Sequence, residues 1–218
     1  MRSFLITLSL ISLSLFIYSC DDNTTEPVKT EISIGQVWMV KNLDVDHYRN
    51  GEKIPQVTDP VEWSKLKTAA WCYYNNDPLM GKEYGKLYNK YAISELQQIA
   101  PQGWHIATIN DWKYLIDFLG GRDIAGGKLK EKSTAHWLYP NTGATDNFGF
   151  AALPGGMRNS NGTFSDINNK GYWWNIEEVG YNNELIIGAE SASFDDIKLT
   201  SNLITSKNYG FSVRCIKD

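Results

Sequence analysis

A chain of 218 residues with formal net charge −4, whose 21 basic side chains are scattered rather than clustered, offers no basic patch and excludes nucleic acid as an electrostatic partner. Eight tryptophans, twelve tyrosines and eight phenylalanines exclude a disordered chain and require a large aromatic core for at least part of the sequence.

The N-terminal segment has a basic start at Arg2 and then 14 uncharged residues without proline from Phe4 to Ile17. That length suits the core of a signal peptide and falls short of the roughly 20 residues that span a bilayer. Ile17-Tyr18-Ser19-Cys20 resembles the bacterial lipobox, so residues 1–19 are expected to be removed and Cys20 to carry the lipid anchor. Two or three acyl chains on one residue hold a protein on a membrane far more firmly than one chain does. Asp21 to Pro27 is polar, and residues 20–31 are read as a tether that cannot pack. The expectation from these resemblances is a chain at the bacterial outer membrane, held through its acylated N-terminus.

Residues 32–218 are long enough for one domain with its own core. Ile32 to Val40 reads as an entering strand, Asn50-Gly51 as a tight turn, and residues 60–66 as one or two helical turns with Asp59 capping and Pro60 in the first position. Ala70 to Tyr74 reads as a buried strand ended by Asn75-Asn76-Asp77-Pro78, and a partial apolar stripe marks a helix around 91–99. The clearest helix runs from Ile109 to Leu119: Thr108 and Asp111 form an approximate capping box, and Ile109, Trp112, Leu115, Ile116 and Leu119 share a face. Gly120-Gly121 stops it, and a shorter helix follows at 124–132. Beyond 148, short apolar runs punctuated by Gly, Asn and Asp read as hairpins, with a terminal strand at Gly210–Ile216. The pattern predicts an α+β domain, with a small, twisted, mostly antiparallel sheet, two or three helices, long loops and paired termini.

No catalytic or metal-ligand spacing occurs: His47, His105 and His136 lack cysteine or histidine partners, and His105, between Trp104 and Ile106, reads as a satisfied boundary histidine. The expectation is a non-enzymatic protein with no cofactor and no metal. Once Cys20 is assigned to lipid, Cys72 and Cys215 remain, and either a disulfide or two buried free thiols suits an exported domain. Tyr172-Trp173-Trp174-Asn175 invites a ligand-binding reading: on a strand the two indoles face opposite ways. Either one lies exposed as a sugar platform, beside the polar loops of Asp146, Asn147, Asp166 and Asn168, or both are buried.

The series Ile34-Gly35-Gln36-Val37-Trp38-Met39, Trp71-Cys72-Tyr73-Tyr74-Asn75-Asn76-Asp77, Leu87-Tyr88-Asn89, Gly103-Trp104-His105, Leu153-Pro154-Gly155-Gly156 with Arg158, and Gly210 to Cys215 resembles the Fibrobacter succinogenes major paralogous domain over essentially all of 32–218. That resemblance implies an exported protein, often a lipoprotein, of Fibrobacter or Bacteroidetes. The C-terminal half is in turn similar to the C-type-lectin-like fold of formylglycine-generating enzymes, which implies a loop-rich scaffold over a small sheet. Many family members have a cysteine before the Pro-x-Gly-Trp-His motif; here Ala100 precedes Pro101, so Cys72 is left as the intradomain partner for Cys215. Trp174-Asn175-Ile176 departs from the calcium-lectin Trp-Asn-Asp signature, and the redox cysteine pair of the formylglycine enzymes has no counterpart. The resulting expectation is a cell-surface binding or adhesion module for a polysaccharide or surface protein, against the alternatives of a derived enzyme or a structural subunit.

Overall fold

The computed structural model describes residues 29–32, 35–94, 98–176, 187–193, 195–196, 198–203 and 206–218. Cys20 and residues 21–28 of the expected tether lie outside them, whereas Lys29–Glu31, read from sequence as tether, belong to a strand that pairs with Val37–Met39. Eleven strands and five α-helices are described: β1 (Lys29–Ile32), β2 (Gln36–Met39), α1 (Pro60–Ser64), β3 (Trp71–Cys72), α2 (Pro78–Tyr84), β4 (Leu87–Tyr88), α3 (Lys90–Ser94), β5 (Trp104–Ile106), α4 (Ile109–Phe118), α5 (Arg122–Leu129), β6 (Gly155–Arg158), β7 (Phe164–Ile167), β8 (Lys170–Ile176), β9 (Ile187–Ser193), β10 (Leu199–Leu203) and β11 (Cys215–Lys217).

The expected α+β class is correct, but the small sheet with two or three helices is not. There are three sheets, in the orders β1-β2-β11-β5, β10-β9-β8-β6-β7 and β3-β4. All described pairings within them are antiparallel except β6 with β8. The termini pair as expected, Ile216 standing opposite Trp38 and Cys215 opposite Ile106.

Local chemistry accounts for the helix starts. Asp59 accepts from the Glu62 amide at 2.7 Å with Pro60 at the first position of α1. The same Asp-Pro device starts α2, where Asp77 accepts from the Leu79 amide at 2.8 Å. Reading Asn75 to Pro78 only as a strand terminator therefore misses a helix. The predicted capping box of α4 is present in both directions, with Thr108 amide to Asp111 at 2.8 Å and Asp111 amide to Thr108 at 3.1 Å. The expected strand at 70–74 is shorter, because after Cys72 the chain turns into a 3₁₀ turn at Tyr74–Asn76 in which Asn75 and Asn76 take positive φ.

Two strands divide the core. Trp38 and Ile216 face a cluster with Trp112, Leu115, Trp137, Phe150 and Trp173, while Met39 and Cys215 face a second with Trp104, Ile106, Trp174 and Phe211. Strand alternation carries this partition, and β8 repeats it through Trp173 and Trp174. A third cluster gathers Val57, Trp63, Ala70, Cys72, Tyr74 and Leu87. Gly156 is required where β6 crosses: its φ is +63° and a Cβ there would lie 2.5 Å from the Ser165 carbonyl oxygen.

His105 joins the C-terminus to α4. One ring nitrogen lies 2.8 Å from Asp218 and the other 3.2 Å from Asp111. The hydrogen bond to Asp111, with that to Asp218, raises the imidazole above its usual 6.5 against burial. Burial pushes the Asp111 carboxyl up, but hydrogen bonds from His105 and Thr108 outweigh it and hold it below 3.8. A raised histidine contributes stability that is fully present below pH 6.5 and is lost as pH rises through its folded value; a lowered carboxylate contributes stability that is lost as pH falls below 3.8. Wild type is therefore expected to gain most over His105→Gln between these limits, and the stability difference measured in urea shrinks as pH rises through the raised histidine value; a difference that grows with pH contradicts the clamp. Trp173→Ala is expected to cost about 3–5 kcal/mol in the same assay, where a surface tryptophan costs well under about 1 kcal/mol.

Candidate ligand-binding cleft

Strand register assembles a polar surface from residues distant in sequence. Lys170 pairs with Ser193, Tyr172 with Ser191, and Ser191 with Thr200, so these five share one face of β8-β9-β10. The opposite face, carrying Trp173, Ala192 and Leu199, is buried in the core. Further along the outer face Trp174 is covered by Phe211, with ring centroids 4.6 Å apart. At the Lys170 end the face is open, forming a cleft of about 490 Å³ whose rim is completed by Asn169, Asp195, Asp196 and Lys198. That volume falls in the range of small-ligand sites.

Among the described residues that line the cleft, Tyr172 is the one aromatic. It stacks on Phe211 at 5.3 Å and 18°, and Phe211 stacks on Tyr209 at 5.5 Å and 14°. The phenol donates to Asp166 Oδ2 at 2.8 Å, and burial together with that carboxylate pushes it well above its usual value, so it stays neutral. In the rim, Ser193 Oγ donates to Asp195 at 2.6 Å. That bond, helped by the Lys170 and Lys130 charges, keeps Asp195 below the usual carboxylate value. Asp196 accepts from the Lys198 amide at 3.0 Å.

Beneath the rim lies Lys130, fully buried. Its ammonium donates to the carbonyls of Thr142 at 2.9 Å, Ser193 at 2.8 Å and Asp196 at 2.9 Å, and lies 5.4 Å from the Trp137 ring. Burial pushes it down to about 8 against the pull of Asp196 and Asp195. One cation thus ties the cleft rim to the loop after α5. Lys130→Met leaves those carbonyls without their charged donor and is expected to cost about 2–3 kcal/mol, read as a lower urea midpoint.

Of the residues singled out from sequence, Tyr172 lines the cleft and Asp166 orients it. The exposed-indole reading is corrected: Trp173 is 1 % and Trp174 0 % exposed, because β8 runs between two cores instead of covering one. Their indoles donate inward, Trp173 to Asn42 Oδ1 at 2.9 Å and Trp174 to the Tyr88 carbonyl at 2.7 Å. Asn175 is buried and donates to Glu190, which a bidentate Arg122 holds at 2.7 and 3.3 Å. Asn168 is a turn residue at φ 60°, donating to the His136 carbonyl at 2.6 Å and Tyr84 Oη at 3.1 Å. Asp146 and Asn147 lie on the loop against α5, where Asp146 accepts from the Ala151 amide at 2.8 Å and the Asn147 amide reaches the Lys128 carbonyl at 3.2 Å; neither lines the cleft.

The Cys72–Cys215 bridge is likewise corrected, since both thiols are free and buried. They sit on strands of different sheets and in different clusters, and burial pushes each up to about 12. His105 is a boundary residue satisfied on both nitrogens, as its setting predicts. Lys130, Lys170, Ser191, Ser193 and Thr200 carry no motif; strand pairing reveals the last four, and tertiary contacts reveal Lys130. The adjacent acids Asp195 and Asp196 are exposed, as such pairs usually are, but they edge the cleft.

Among the described residues, no group of three His, Cys, Asp or Glu could hold a metal ion, and no helix is long and apolar enough to cross a membrane. No curated protein and no solved structure matches the chain. Residues 32–217 match the family described as Fibrobacter succinogenes major domain. The chain therefore belongs to the Fibrobacter succinogenes major domain family.

Proposed function

We propose that this protein is a lipid-anchored binding module of the bacterial cell surface, built on a C-type-lectin-like scaffold, whose β8-β9-β10 cleft takes a segment of polysaccharide. One observation carries the ligand class: the cleft combines one fixed aromatic ring with hydroxyls, two ammonium groups and two carboxylates. The centre of a protein–protein interface is depleted in charge, whereas a sugar ring presents hydroxyls to such donors and acceptors and apolar C–H groups to an aromatic face. The expected Cys20 anchor and the following acidic tether would hold this surface away from the membrane.

The nucleophile or base of an alternative enzyme reading would have to come from other groups than the two thiols, which burial keeps protonated. A surface-protein ligand is an outcome of the same test. Residues 27–218 are screened on glycan arrays and by polysaccharide pull-down, alongside Lys170→Ala, Asp195→Asn and Thr200→Trp. Each of the first two is expected to weaken binding by about tenfold or more, and Thr200→Trp, which fills the cleft, to abolish it. Folded protein that binds no glycan, or that binds one equally well in all three variants, rejects the assignment.

A further inference from the structure

The buried cations Arg158 and Arg214 donate to the carbonyls of Gly162, Val57, Thr58, Met39 and Phe150, none of which lines the cleft. Lys130 differs, because two of its three acceptors, Ser193 and Asp196, are cleft residues, and the third, Thr142, belongs to the loop between α5 and β6. An ammonium has three N–H donors and no acceptor, so three carbonyls at 2.8–2.9 Å use it completely. Two ends of this arrangement are fastened to the body of the domain. The Lys130 amide donates to the Gly126 carbonyl at 3.1 Å, and on either side of it the Leu129 carbonyl and the Glu131 amide bond to Ala152 at 2.9 and 3.1 Å. Thr142 lies between Asn141, whose side-chain amide donates to the Glu131 and Ser133 carbonyls at 2.8 Å, and Thr145, whose amide donates to the Gly127 carbonyl at 2.9 Å. The cleft rim is the third end. Its side-chain bonds from Ser193 to Asp195 and from the Lys198 amide to Asp196 are internal to it. Its ion pair with α5, Lys198 to Asp123 at 3.8 Å, joins two exposed side chains, and such a pair holds little.

Lifting the rim would leave a fully buried ammonium with two of its three hydrogen bonds unmade, which costs far more than releasing a surface ion pair. The position of the Ser193 and Asp196 backbone is therefore set from beneath. Ser193 also stands opposite Lys170 in the β8–β9 register, so the same backbone decides where Asp195 and Asp196 stand relative to the Lys170 side of the cleft. We propose that Lys130 is the positioning residue of the ligand site: without touching the ligand, its ammonium fixes the 193–196 backbone and thereby the spacing of the rim carboxylates from Lys170 and Thr200, on which affinity depends. The ligand part of this rests on the cleft reading, and the rim geometry does not.

The full chain in lipid nanodiscs, with Lys130→Met and Lys130→Ala, is followed by amide and carbonyl NMR at a temperature where all three are folded, and each is screened on the same glycan array. Methionine keeps the packing of the lysine stem and removes its donors. In Lys130→Met the Ser193, Asp195 and Asp196 signals are expected to shift and broaden while those of Tyr172, Trp173 and Glu190 in the β8–β9 ladder stay in place, and array binding is expected to fall about tenfold, as for loss of the Asp195 charge. In Lys130→Ala, n-propylammonium, which replaces the missing atoms of the lysine, is expected to restore the rim signals and the binding, whereas 1-propanol, of similar size but with one donor and no charge, does neither. Wild-type rim signals in Lys130→Met, or rescue of Lys130→Ala by 1-propanol as good as that by propylammonium, would show that Lys130 only fills space and overturn the proposal. So would undiminished glycan binding by a Lys130→Met protein whose rim has shifted. If wild type binds no glycan while the rim responds as described, the carbohydrate reading fails and the positioning of the rim by Lys130 stands.

Discussion

The architecture depends on one stretch of backbone, Gly210 to Ile216, in which every residue is buried. A buried chain must satisfy its amides and carbonyls, and here it does so by visiting all three sheets. Gly210 exchanges hydrogen bonds with Arg158 of β6 at 2.8 and 2.9 Å, and Phe211 with Tyr88 of β4 at 3.1 and 2.9 Å. The Ser212 amide reaches the Tyr172 carbonyl at 3.1 Å and its carbonyl takes the Trp174 amide at 3.0 Å, while Leu43 and Ala107 donate to Val213 and Arg214. The segment then continues into β11 between β2 and β5. Sheets of two, four and five strands become one body because one segment hydrogen-bonds to each of them. The same segment supplies Phe211, which covers Trp174 and supports Tyr172, so the covered and open parts of the β8 face both follow from it.

A loop-rich fold leaves many carbonyls without a ladder partner, and this protein satisfies several with buried cations. Arg158 donates to the carbonyls of Gly162, Val57 and Thr58; Arg214 to Met39 and Phe150; Lys130 to Thr142, Ser193 and Asp196. Lys86 adds the Asp44 carbonyl at 3.0 Å to its ion pair with the same residue. Each cation is also flanked by aromatic rings: Trp63 and Phe164 for Arg158, Phe150 for Arg214, Trp137 for Lys130, Trp71 and Tyr73 for Lys86. Carbonyl dipoles and ring faces together replace much of the water that a buried charge gives up. The tryptophan content thus has a structural use: all eight indoles are buried, and three of them lie beside these cations.

Features set by neighbours in sequence were legible. The Thr108–Asp111 box, the Asp59-Pro60 start and the Asn50-Gly51 turn follow from short-range chemistry, and the structure contains each of them. Of the terminal strand expected over Gly210–Ile216, Phe211, Val213 and Cys215 do share one cluster, but the strand itself is Cys215–Lys217 and the residues before it make isolated bridges. Features set by register or layering were not. Alternation puts Trp173 and Trp174 on opposite faces, but only the tertiary arrangement says that both faces are covered. Lys170, Ser191 and Thr200 come together because β8, β9 and β10 pair in one particular register, and a shift of one residue would send them to the core face. Tyr139 is exposed because Trp137, two positions earlier, takes the buried place in its loop. The helix at Pro78–Tyr84 was legible in principle from Asp77-Pro78, and it was obscured by Gly81, whose missing side chain makes room for the Tyr73 ring.

Native-state hydrogen exchange of the Gly210, Phe211, Ser212 and Trp174 amides probes the role of the terminal segment most directly. If that segment holds the three sheets together, these amides exchange only through global unfolding, with an opening free energy equal to that from urea denaturation. Exchange through a local opening of clearly lower free energy, with the β8–β9 amides still protected, would show that the sheets hold together without it.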